Sequence, residues 1–182
     1  MKTTPAKILA LRPCKEWRKK LEAMPVDEVL DTSNLFDLNA LMWVGARFAP
    51  NDLRMWSADC AARALPIWLA WRPNDDRPRA AILAARLNKN NAAAQLAYAA
   101  VDEAVNVHAA AVSVAALAAA SAAASAACAA AENAEACVAC AAGAAVHSVY
   151  AVSLAARAAE HEWQLKRLQQ WLSDTPPEPI PV

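Results

Sequence analysis

Glycine is almost missing from this chain: only Gly45 and Gly143 occur in 182 residues. A phosphate-cradling loop needs glycines for its tight turn and for close backbone approach, so nucleotide-binding fingerprints are excluded. A surplus of either charge is also missing, since 18 basic residues balance 18 acidic ones. No basic run interleaved with aromatics occurs, which argues against electrostatic binding of nucleic acid or of an anionic membrane. Five cysteines, an odd number scattered along the chain, do not form a disulfide framework and suit the reducing cytosol. The opening Met1–Ala6 lacks an apolar core, and Ile8 to Leu11 is too short for a signal peptide. The sequence therefore predicts a cytoplasmic protein.

A long interval is uncharged. Between Ala104 and Ala131 there is no Asp, Glu, Lys or Arg, enough length to cross a bilayer. It is mostly alanine, however, broken by Asn106, His108 and three serines, with Leu117 its sole large aliphatic besides valine. Insertion is driven by bulkier side chains, and no aromatic or basic anchors flank the run, so no membrane span is expected.

What is present is helix-forming. Proline and cap residues punctuate the first half into short helices. One follows Pro13, with that proline in its first turn, and is closed by Pro25; Val26 to Leu30 suggests one further turn. Another is expected over about Leu35 to Phe48, with Ser33 or Asn34 accepting from its free amides. A third starts at Pro50 and runs to Arg72, with Leu53, Trp56, Cys60, Ala64 and Ile67 recurring every three or four residues as one buried stripe. After Pro73-Asn74-Asp75-Asp76, where Asp75 or Asp76 caps, a fourth enters through Arg77-Pro78-Arg79 and ends near Asn88.

From Ala92 to about Glu160 roughly half the residues are alanine and none is proline. Alanine has the highest intrinsic helix propensity, so helix is nearly forced there. A single helix from Ala92 to Leu172 would be about 120 Å long, too long for a compact domain, so two or three antiparallel helices are expected. Cys140, His147, Leu154, His161 and Leu168 are spaced by seven. So are Cys137, Ala144, Ala151, Ala158, Leu165 and Leu172, and together the two series predict a seam of small residues with closely approaching axes. The expected fold is all-α, a bundle of long alanine-rich antiparallel helices (92–172) with shorter helices before it (1–91). Residues 1–172 make one domain, and four prolines within Ser173–Val182 predict a disordered tail.

Few residue groups could carry chemistry. Cys137-Val138-Ala139-Cys140 is a CxxC with His147 two turns further on, a possible metal or redox set. It lies inside a continuous alanine helix without a second CxxC, whereas structural zinc draws its pairs from converging turns, so packing is the favoured role. His108, His147 and His161 could act as bases, but nothing completes a nucleophilic site around them. No catalytic residue, cofactor or metal is assigned. Asp59 and Arg63 read as an i,i+4 pair on one helix. Trp68, Trp71, Arg72, Asp75 and Arg77 cluster beside a turn, and tryptophan and arginine are the residue types enriched at interface hot spots.

Two stretches resemble a known family. Trp56-Ser57-Ala58-Asp59-Cys60-Ala61-Ala62-Arg63-Ala64-Leu65, followed by Pro73-Asn74-Asp75-Asp76-Arg77-Pro78-Arg79-Ala80-Ala81-Ile82, resembles the Imm-five-like immunity proteins of bacteria. Ala10-Leu11-Arg12-Pro13-Cys14 and Leu41-Met42-Trp43 look like the opening of related alanine-rich proteins of phage and bacteria. The resemblance spans about residues 10 to 172. It implies an all-α domain that neutralises a partner protein or toxin by binding, with no catalytic or binding residues to carry over. The other readings are a phage accessory protein that inhibits a host defence factor, a structural helical module that associates with itself, and a Cys/His metal protein.

Overall fold

The computed structural model of the chain describes residues 2–31, 37–87 and 156–182. Six helices account for most of these: α1 (Pro5–Ala10), α2 (Lys15–Glu22), α3 (Leu38–Phe48), α4 (Pro50–Trp71), α5 (Arg77–Arg86) and α6 (Arg157–Trp171). Two short strands, β1 (Lys2–Thr3) and β2 (Leu30–Asp31), pair antiparallel with Lys2 opposite Asp31 and Thr3 opposite Leu30. The described part is thus mostly helical. The antiparallel arrangement expected for 92–155 lies outside the described residues.

Proline placement explains three of the six helix starts. Pro5, Pro50 and Pro78 stand in the first two positions of α1, α4 and α5, where a missing N–H costs nothing and the fixed φ already suits a helix. Pro13 differs from the expectation: it precedes the N-cap Cys14, so α2 begins beyond it. The cap of α3 is Asp37, whose Oδ1 accepts from the Ala40 amide at 2.8 Å, not Ser33 or Asn34. The extra turn expected over Val26–Leu30 is a tight turn closed by Glu28 N–H on the Pro25 carbonyl, after which Leu30 enters β2. Leu30 is buried there. Pairing with β1 supplies the backbone partners that a free helical turn would lack, while the Leu30 side chain joins the hydrophobic core.

Helix α4 is the central element and packs against α3, α5 and α6. Leu53, Trp56, Cys60 and Ala64 are all buried as the sequence predicts, with Ile67 half-buried. The same holds for Ser57, Ala58, Asp59, Ala61 and Ala62, so the middle of α4 is enclosed on nearly every side. Around it the core gathers Ile8, Leu21, Leu41, Val44, Leu168, Trp171 and Leu172. Gly45 sits where α3 meets the end of α6, with the Leu172 side chain 3.5 Å from the position a Cβ would take.

On α6 the buried residues are Glu160, Gln164, Leu168 and Trp171, with Leu172 at its C-cap. The heptad seam predicted Ala158 and His161 inward, but both are exposed. Leu168 and Leu172 keep their predicted burial. Part of the cause is polar: Glu160 is held inward by Arg63 on α4, and the Trp56 indole fixes α6 through the Gln164 main-chain carbonyl, which turns the buried face away from the one that apolar spacing selects.

Residues 173–182, expected as a disordered tail, contain neither helix nor strand and touch β1, α4 and α6. Lys2 pairs with Asp174 at 3.2 Å, Arg167 donates to the Glu178 carbonyl, and the Ile180 amide reaches Asp59 at 3.0 Å.

Candidate functional site

Two polar arrays flank α4, one directed into the protein and one out of it. The inner array centres on Asp59, which is fully buried. Its Oδ1 accepts from the Arg86 guanidinium at 3.1 Å and from the Ile180 amide at 3.0 Å. Its Oδ2 accepts from Arg167 Nε at 2.8 Å and from Trp171 Nε1 at 2.9 Å, with Arg167 Nη2 at 2.7 Å. One carboxylate therefore joins α4, α5, α6 and the C-terminal segment. Burying a charge is costly unless it is paired and its lone pairs are filled, and here two cations and two neutral N–H donors do so. Burial disfavours the charged form of Arg86, and the adjacent Asp59 carboxylate opposes that effect.

Arg63, one turn along α4, pairs across helices as well. Its Nε and Nη2 reach Glu160 Oε2 at 2.8 and 2.7 Å, and its guanidinium lies over the Trp163 ring at 4.3 Å. Asp59 and Arg63 thus make their ion pairs with α5 and α6, in place of the i,i+4 pair that their spacing suggests. Between them Cys60 is buried, and its thiol is held well above the ordinary range first by that burial and then by the Glu160 and Asp59 charges. This is an inert thiol, since the thiolate is the reactive form. Arg54 completes the inner array by donating to the Ala85 carbonyl and, at 2.7 Å, to the Arg86 carbonyl. Those are the last carbonyls of α5, where a cation also complements the helix dipole.

The outer array lies at the end of α4. Trp68 is fully buried, so of the five residues expected to form a partner surface it is a core residue. Its indole donates to the Asp75 carbonyl at 3.1 Å and meets Trp71 edge to face, with ring centroids 5.3 Å apart. Trp71 is half-buried and the exposed Arg72 guanidinium lies 4.5 Å from its ring centroid. Asp75 and Arg77 engage each other, with Arg77 Nε at 2.9 Å from Oδ1 and the Arg77 amide at 3.1 Å from the same oxygen. Those Arg77 hydrogen bonds hold the Asp75 carboxyl below the usual range, against the opposing effect of burial. Asp76, the N-cap by position, makes no side-chain cap bond and pairs with Arg79 at 2.8 Å. The structure therefore brings Trp71, Arg72, Asp75 and Arg77 onto one ordered edge underlain by Trp68.

The metal candidates Cys137, Cys140 and His147, with His108, lie outside the described residues. His161 is exposed on α6. Among the described residues no cluster of three or more His, Cys, Asp or Glu could hold a metal ion, and no helix is long and apolar enough to cross a membrane. Ala104–Ala131 lies outside the described residues.

Sequence reasoning missed Glu160, Gln164, Arg86 and Arg167 as members of a buried array. The available signal was Asp59 itself: an acid set among Ser57, Ala58, Cys60, Ala61 and Ala62, in the small-residue stretch of a helix with a buried stripe, calls for cations from other elements. No family model, curated protein or solved structure matches the chain.

Proposed function

We propose that the protein acts by binding another protein, as an immunity-type inhibitor that neutralises a toxin or a host factor in the cytoplasm and performs no chemistry of its own. The observation that carries this reading is the ordered edge at the end of α4. There the exposed Arg72 stacks on Trp71, which rests on the buried Trp68 and on a turn fixed by Asp75 and Arg77. Binding hot spots concentrate on tryptophan and arginine held in place before the partner arrives, because less side-chain entropy is then lost on association. The resemblance of 56–65 and 73–82 to Imm-five-like immunity proteins supports the same role, since these stretches supply both the inner array that fixes the helices and the outer edge.

The test is site-specific photocrosslinking in the native host. A crosslinker at position 72 is expected to give one discrete protein adduct that a crosslinker at exposed position 18 on α2 does not. The Trp71→Ala variant should weaken binding of the isolated partner about 100-fold, a loss of two to three kcal/mol at a hot spot. Identical adducts from both positions, or unchanged affinity in Trp71→Ala, would remove this edge from the interface.

A further inference from the structure

A cleft opens between the first two helices and α3, on a different part of the molecule from the α4 edge. Its volume is about 380 Å³, within the range of roughly 300–1,000 Å³ typical of small-molecule sites. Buried Ile8 and Pro13 contribute apolar wall, half-buried Trp17 and Trp43 contribute two indoles, and Glu16 and Asp37 contribute two carboxylates. Among the described residues no Lys, Arg or His lines it. Both carboxylates are placed by helix starts: Asp37 is the N-cap of α3, and Glu16 stands in the first turn of α2.

Both rings already attract cations of the chain itself. Lys20 Nζ lies 4.3 Å from the Trp17 ring centroid and 3.4 Å from Glu16, and the Arg47 guanidinium lies 4.3 Å from the Trp43 centroid. Neither cation lines the cleft. We infer that this cleft binds a small alkylated ammonium ion, taken up between the two indoles and beside the two carboxylates. The class follows from the walls. An anion would meet the Glu16 and Asp37 carboxylates and no base in the cleft wall, Lys20 being turned to Glu16 from outside it. A simple primary ammonium is strongly hydrated and would lose more water on entering an aromatic cleft than it regains. A quaternary or heavily methylated ammonium carries its charge on a weakly hydrated, apolar surface, the combination that indole faces recognise.

The test uses the full-length protein with its indole N–H groups followed by heteronuclear NMR. Tetramethylammonium chloride is titrated at constant ionic strength against sodium chloride, and choline is compared with its uncharged carbon analogue neohexanol. The Trp17 and Trp43 resonances should move saturably with both cations, with a dissociation constant on the order of 1 mM, while neohexanol binds at least about tenfold more weakly. Asp37→Asn keeps an equally good N-cap, so the fold is retained, and it should weaken cation binding severalfold. Trp43→Leu should abolish binding. Three results would overturn the inference: no saturable movement of those two indoles, equal binding of neohexanol, or an Asp37→Asn protein that binds as the parent does.

Discussion

The two arrays around α4 are built from the same residue types and behave oppositely. At the inner one, Asp59 takes partners 27, 108, 112 and 121 residues away. At the outer one, Trp68, Asp75 and Arg77 find each other within about ten residues of chain. A carboxylate that gathers distant cations in a buried site fixes how helices assemble. A carboxylate that holds its near neighbour in a turn fixes only a local surface. Composition alone does not tell these roles apart, because Asp, Arg and Trp supply both. What separates them is the number of elements each group ties together and whether water can replace a lost partner.

This contrast predicts a ladder of effects. The largest belongs to Asp59→Ala, which leaves the half-buried Arg86 and Arg167 without their carboxylate and the Trp171 and Ile180 N–H groups without an acceptor, and should cost about 3–5 kcal/mol in urea unfolding. A loss under about 1 kcal/mol would erase the distinction between the arrays. Arg63→Ala comes next, at about 2–3 kcal/mol, because Glu160 is buried and loses its cation; Arg63→Lys should recover part of that, having no fork to match two contacts. On the outer edge, Arg72→Ala should stay within about 0.5 kcal/mol of the parent, as expected for an exposed side chain.

The smallest effect is one of pH. The Asp75 pKa is depressed by its Arg77 bonds, so the stability it contributes is present above the unfolded value of about 3.9 and is lost as pH falls through the lower folded value. Near-ultraviolet dichroism of the Trp68–Trp71 pair should therefore hold constant from neutrality down to about pH 4 and change below it. A change centred near pH 6 would assign the transition to another group.

Much of the described fold is legible in local sequence. Proline at helix starts, the apolar stripe of α4 and the turn before α5 each act within a few residues, and α4 and α5 begin at Pro50 and Arg77 where those signals put them. The departures have a common physical origin. Burial of Glu160 on α6 depends on Arg63, and the Trp56 indole docks on α6 through the Gln164 main-chain carbonyl at 2.9 Å; hydrophobic periodicity registers neither contact. The β1–β2 ladder joins residues nearly thirty positions apart through backbone groups, whose pairing side-chain patterns do not encode. Residues 173–182 were read from their prolines alone, although Ile180 holds a place through a single amide bond to Asp59. At the candidate edge, the choice of Trp71, Arg72, Asp75 and Arg77 came from local clustering. The burial of Trp68 did not, since it depends on helices packed from outside the turn.

One buried carboxylate on α4 fastens the C-terminal segment to the helices, and amide hydrogen exchange at Ile180 reads this directly. The Ile180 amide should exchange far more slowly than that of a free peptide in the parent protein, and should lose its protection in Asp59→Ala under conditions where the α4 amides remain protected. Exchange at the free-peptide rate in the parent would contradict the claim.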